Sequence, residues 1–174
     1  MKIKIFFLVL ASFLFINISL NAQSMLSEGT QITMASDSIK NIETIAVGDK
    51  VLAYNLKERV YEEIPVKEIK KVMVNRLIRV TLKNGVQLSM SVDQPILGEK
   101  GWVSVDPPIT AENDKYTDVK RCEIGDFVFL YNVTSTDYTE VTVIQGILEP
   151  TTMYSLELDA EGAYIANGFL VGQN

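Results

Sequence analysis

The residues able to do acid–base or nucleophilic chemistry are few in this sequence, and that scarcity bounds the function. Histidine, the commonest general base near neutral pH, is absent from all 174 residues. Cysteine occurs once, at Cys122. One thiol cannot close an internal disulfide, and zinc needs several Cys or His ligands, so a structural zinc is excluded. Cys122 stands where an apolar strand residue is expected. A small buried hydrophobe there needs no chemistry, and a reactive thiol is the less favoured reading. Two Gly-Asp pairs, Gly48-Asp49 and Gly125-Asp126, offer carboxylates. They fit turns better than metal binding, because glycine supplies positive φ and aspartate bonds to backbone amides two residues on. No cofactor is implied.

The elements that must position these residues read as β-strands. Val72 to Leu82 alternates apolar and polar residues, Asn84-Gly85 follows, and Val86, Leu88 and Met90 alternate beyond it. Two period-2 runs joined by Asn-Gly predict a hairpin with a type I′ turn, which needs positive φ at both central residues. Ile147 to Leu158, Glu161-Gly162 and Ala163 to Ile165 have the same shape. No window after Gln23 sustains a helical period. Asp106 to Asp118, with Pro107, Pro108 and Asn113, reads as a surface loop. Trp102 reads as core filling.

The chain also repeats itself. Val47-Gly48-Asp49-Lys50-Val51-Leu52-Ala53-Tyr54-Asn55 lines up with Ile124-Gly125-Asp126-Phe127-Val128-Phe129-Leu130-Tyr131-Asn132 at an offset of 77 residues. The same offset carries Gly85 onto Gly162 and Leu88 onto Ile165. This period is too long for a solenoid and implies a duplicated unit closing into one pseudo-symmetric domain, with halves at about 40–95 and 117–172.

The N-terminus has the layout of a secretory signal peptide: Lys2 and Lys4, an uncharged apolar run from Ile5 to Leu20, then Asn21-Ala22-Gln23. Cleavage is expected after Ala22, since the run is shorter than the roughly 20 apolar residues of a membrane span. The mature chain would be 23–174, one domain in size, periplasmic or secreted, with no span left. Its charge would be 14 basic against 22 acidic residues, a net of −8. That balance argues against a nucleic-acid partner. The one dense basic cluster, Lys67, Lys70 and Lys71, has Glu68 inside it and reads as a solvated strand face.

Four blocks of sequence resemble the Hint (hedgehog/intein) self-processing family, in the family's order. Glu28-Gly29-Thr30-Gln31-Ile32 resembles its opening strand. Lys40-Asn41-Ile42-Glu43 through Val47-Gly48-Asp49-Lys50-Val51-Leu52 is similar to its Gly-Asp block. Ser91-Val92-Asp93-Gln94-Pro95 followed by Gly101-Trp102 resembles its Asp-His-Pro block, and Tyr164 to Val171 its closing strand. The resemblance implies an all-β, pseudo-two-fold horseshoe built from a duplicated unit. It also implies a mechanism. A Cys or Ser attacks the peptide bond before it, a His helps the nitrogen leave, and in inteins a terminal Asn cyclises.

On that resemblance the functional positions are degenerate. The nucleophile falls on Met25, the His on Gln94, and the penultimate His on Gln173, or on Gly172 if one residue is inserted. Asn174 alone matches, and it ends the sequence with no downstream bond. Ser24 is the fallback nucleophile, with only Gln23 ahead of it after signal removal. The expectation is a non-enzymatic binding or interaction module with a protein or peptide partner. The alternatives are residual autoproteolysis or splicing through Ser24, and the releasing domain of a secreted multi-part toxin system.

Overall fold

The computed structural model describes residues 23–132 and 135–174. The expected signal peptide, 1–22, lies outside them. The strands run β1 Leu26–Ser27, β2 Gln31–Thr33, β3 Ile39–Asn41, β4 Lys50–Asn55, β5 Val60–Val74, β6 Leu77–Leu82, β7 Gln87–Met90 and β8 Ile96–Gly98. They continue as β9 Gly101–Ser104, β10 Lys120–Arg121, β11 Phe127–Asn132, β12 Ser135–Ile147, β13 Thr151–Leu158, β14 Ala163–Ala166 and β15 Phe169–Val171. One single-turn helix, α1 (Pro107–Thr110), is joined by two short 3-10 turns. All the strands form one folded-over sheet in the order β10-β9-β8-β15-β11-β12-β6-β7-β1-β13-β5-β4-β14-β2-β3. No helix among the described residues is long and apolar enough to cross a membrane.

The duplication is visible strand by strand. β4 maps onto β11 residue for residue at the 77-residue offset, and each forms an antiparallel hairpin with the long strand that follows. Each long strand then crosses to the other half: β5 pairs with β13 from Val66 onward, and β12 pairs with β6 from Val141 onward. The crossover begins at the Gly-Asp turns. Gly48 and Gly125 have φ of 89° and 96°, which glycine adopts without steric cost. The Gly48 amide donates to the Val66 carbonyl at 2.8 Å, and the Gly125 amide to the Val141 carbonyl at 2.8 Å.

Strand alternation sends one set of side chains into the main core and the other outward. Val51, Ala53, Val128, Tyr164, Ala166, Phe169 and Val171 lie in the main core. Their neighbours Leu52, Tyr54, Phe129 and Tyr131 cover a second cluster over Ala163, Ile165 and Leu170. Aromatic contacts tie this outer layer across the halves, with Tyr54 and Phe129 stacked at 6.2 Å and Tyr61 edge-on to Tyr131 at 5.2 Å.

Three local expectations are corrected. Val72 to Leu82 is not one strand: it breaks at Asn75-Arg76, giving the end of β5 and the start of β6. The break falls on two consecutive polar residues between the apolar runs Val72-Met73-Val74 and Leu77-Ile78, where the alternation lapses. The β6–β7 hairpin forms, but Gly85 alone has positive φ there, and Leu82 pairs with Val86 around a three-residue loop. The type I′ turn is therefore replaced by a type-I-like turn with a left-handed glycine. The matching hairpin around Gly162 does not form. β13 pairs with β5 and β1, while β14 pairs with β4, β2 and β15. Gly162 packs closely there instead: an added Cβ would lie 3.1 Å from Ile64 Cδ1.

Candidate functional site

The stretch leading into β1 enters the middle of the sheet, between β7 and β13. There the Ser24–Met25 peptide bond is buried, both residues being under a tenth exposed. It is gripped from two sides. The Met25 amide donates to Ser91 Oγ at 3.0 Å, and the Ser91 amide donates back to the Met25 carbonyl at 2.9 Å. From the other side the Ser24 amide donates to Asn174 Oδ1 at 2.9 Å, while Asn174 Nδ2 donates to the Ser24 carbonyl at 3.3 Å. Asn174 Nδ2 also meets Ser155 Oγ. A side-chain amide on that carbonyl stands where a donor would steady an oxyanion.

The side chains of the two residues that form the bond turn to other partners. The Met25 side chain turns into a small apolar cluster with Leu77 and Met153, flanked by Val74 and Ile147. A thioether there is packing. Ser24 Oγ points instead to the Asp93 carbonyl at 3.5 Å. A main-chain carbonyl accepts a hydrogen bond but cannot take the proton.

Gln94 is fully buried. Its Nε2 donates to the Gly172 carbonyl at 2.9 Å and the Pro95 carbonyl at 3.1 Å. Its Oε1 is the one buried side-chain polar atom among the described residues with no hydrogen-bond partner. Such an orphan costs about 1–3 kcal/mol. The side chain thus ties the Ser91–Pro95 segment to the end of the last strand.

The choice between Gln173 and Gly172 resolves into two structural roles. Gln173 accepts from the Leu158 amide at 2.7 Å and donates to the Ala160 carbonyl at 2.7 Å, bracing the turn before β14. Gly172 is required by close approach: a Cβ would lie 2.8 Å from Pro95 Cγ and nearer still to the Tyr116 hydroxyl oxygen. The structure therefore brings Ser24, Met25, Gln94, Gly172 and Asn174 to one place, with the Gln173 side chain turned outward from it.

Several contributors went unread in the sequence. Thr110 Oγ1 lies 3.0 Å from the Asp93 carbonyl and 2.6 Å from Ser104 Oγ, supporting the Asp93-Gln94 segment from beneath. Tyr116 donates to the Gln173 carbonyl at 2.7 Å and stacks edge-on against Trp102 at 5.3 Å. Burial pushes its hydroxyl pKa up. Both residues come from the Asp106–Asp118 stretch, which is a structured underpinning of the site and not a plain surface loop. A buried threonine and tyrosine in a proline-flanked segment were the available signal.

The Gly-Asp turns behave as turns, with one difference. Each carboxylate reaches back three residues, not forward two: Asp49 accepts from the Ala46 amide and Asp126 from the Glu123 amide, both at 3.0 Å. Each also takes a lysine, Lys40 at 2.9 Å for Asp49 and Lys100 for Asp126. The Ala46 amide and then Lys40 hold Asp49 below its ordinary value of 3.8. Desolvation alone would raise Asp126, but Lys100 and the Glu123 amide outweigh it and leave it lowered. Cys122 is buried in the main core, and burial pushes its thiol up to about 12. No group of three or more His, Cys, Asp or Glu among the described residues could hold a metal ion.

No family model and no curated protein matches the sequence. Solved structures do match. The chain is similar to a DnaB intein from Synechocystis sp. PCC 6803, with a TM-score of 0.68 and 13% identity over 87% of this chain and 99% of that one. It is similar to a bacterial intein-like domain from Clostridium thermocellum, with a TM-score of 0.66 and 21% identity over 86% and 98%. The TvoVMA intein gives 0.66 and 15% over 87% and 98%. At these identities the likeness establishes the fold: an all-β, intein-like Hint domain.

Proposed function

We propose that this chain, built on the intein-like Hint fold, no longer cuts itself and serves as a binding or interaction module outside the cytoplasm. One observation carries the reading: the Ser24–Met25 bond keeps its grip but has no attacking atom, because Met25 packs its thioether among Leu77 and Met153. The absence of histidine and the placing of Gln94 on two carbonyls support it, since a carboxamide holds groups without moving protons near neutral pH. Export rests on the sequence of residues 1–22, and the ligand is a protein or peptide.

The test fuses a passenger ahead of Gln23 and follows intact mass with and without added thiol. The expected result is one stable mass for the unaltered sequence and thiol-dependent release from the Met25→Cys, Gln94→His double variant. Passenger release from the unaltered sequence overturns the proposal. If Ser24→Ala then abolishes that release, Ser24 is the nucleophile.

A further inference from the structure

The duplication leaves two equivalent open edges, and they are not defended alike. β5 is paired by β4 up to Pro65 and by β13 from Val66 onward, on its opposite side. β12 is paired by β11 up to Glu140 and by β6 from Val141 onward. Past each Gly-Asp turn, one side of the long strand is paired by no strand of the described residues. On β5 that stretch carries Lys67, Glu68, Lys70 and Lys71, all exposed. Charges, lysine above all, are how sheet edges resist an added strand.

On β12 the corresponding stretch, Thr142-Val143-Ile144-Gln145-Gly146-Ile147, has neither charge nor proline. Val143 is 43% exposed, and Leu148 just beyond it is 82% exposed. Ile124, 65% exposed, stands in the turn whose Gly125 amide meets the Val141 carbonyl. The edge therefore offers unguarded main chain with apolar side chains at both ends. Val141 is already held by Gly125 and Asp126, which marks where an incoming strand must stop.

We propose that the outer side of β12 from Thr142 to Ile147 accepts an extended peptide of a partner protein, uncharged and β-branched at its centre and basic at its ends. Main-chain bonds supply affinity, and alternate side chains meet Val143 and its neighbours. The basic ends follow from the border. Glu149 follows the stretch at one end and Glu123 lies beside Ile124 at the other, while Glu140 and Lys83 neutralise each other at 3.0 Å. The chain's net charge of −6 disfavours a second copy as occupant. This inference rests on reading the chain as a non-catalytic binding module.

The probe is a blocked, fluorescently labelled Lys-Thr-Val-Thr-Val-Thr-Lys peptide added to the whole protein at low salt. Saturable binding is expected, with amide exchange slowed in 142–147. The Val143→Lys, Gln145→Lys double variant should weaken binding at least about tenfold, while Val72→Lys on the β5 edge leaves it unchanged. A glutamate-ended version of the peptide should bind at least about tenfold more weakly. No saturable binding, equal sensitivity to Val72→Lys, or a dimer abolished by the β12 double variant overturns the proposal. If the passenger stays uncut while the peptide fails to bind, the edge is wrong and the loss of cutting stands. Passenger release overturns the non-catalytic reading whatever the peptide does.

Discussion

The Gly-Asp turns and the Ser24–Met25 region both tie distant segments together, but with different chemistry. The turns hold with charge. Asp49 and Asp126 each join a backbone amide to a lysine, and the device occurs twice in matching places. The buried bond region occurs once and holds with carboxamides: Gln94, Gln173 and Asn174 bond main-chain groups from three positions. The turns set where the long strands cross between halves, so a change there disturbs both halves. At the bond region, neutral amides keep the segments together, and Gln94 Oε1 is left unpaired. The fold thus depends on charge at the turns and on neutral hydrogen-bonding amides at the bond region.

The largest expected effect comes from putting a charge among the amides. Gln94→Glu places a carboxylate against the Gly172 and Pro95 carbonyls in a fully buried position. At neutral pH it should cost about 3 kcal/mol or more in urea unfolding. Its folded pKa would be raised, so the deficit is complete above that raised value and fades as pH falls from it to the unfolded carboxylate range. A variant as stable as the parent at pH 7 would break the contrast.

The next effect removes charge from the turns. Asp126→Ala should cost about 1.5–3 kcal/mol, and Asp49→Ala somewhat less, because Asp49 is the more exposed of the two. Both carboxylates are lowered in the folded state. Their contribution is therefore present above the unfolded carboxylate range and lost as pH falls below about 3.8, their ordinary value. Urea midpoints compared at pH 7 and pH 3 should drop for the parent and drop less for the Asp49→Asn, Asp126→Asn double variant. An unchanged acid drop would mean other carboxylates govern it. The smallest effect is at Cys122, beside the second turn. With its thiol pushed up to about 12, native protein at pH 8 should take up no iodoacetamide, and urea-unfolded protein should take it up fully.

Much of the fold was legible because the duplication is written in side chains with one physical use. The Gly-Asp pairs and the Tyr-Asn strand ends recur at one offset, and they specify turn and strand locally. What stayed hidden was partnership. Nothing in Thr151 to Leu158 says that it pairs with β5 and not with the strand after Gly162, since period-2 patterning reports a face and not a neighbour. The candidate positions could be marked in the sequence, because Gln94 falls within a recognisable block and Met25 and Asn174 lie three residues outside two others. Their roles could not. The turning of Met25 into its cluster, the outward brace of Gln173, and the support from Thr110 and Tyr116 depend on packing between segments far apart in the chain.

The exchange of long strands also sets an order in time. As the chain is made, the Val66–Val74 part of β5 has no partner until Thr151–Leu158 has been synthesised. At about 5–20 residues per second that is a wait of several seconds. β12 has no such delay, since β6 precedes it. Lys67, Lys70 and Lys71 therefore sit on the one long strand that must stay unpaired while the rest of its sheet is still being made.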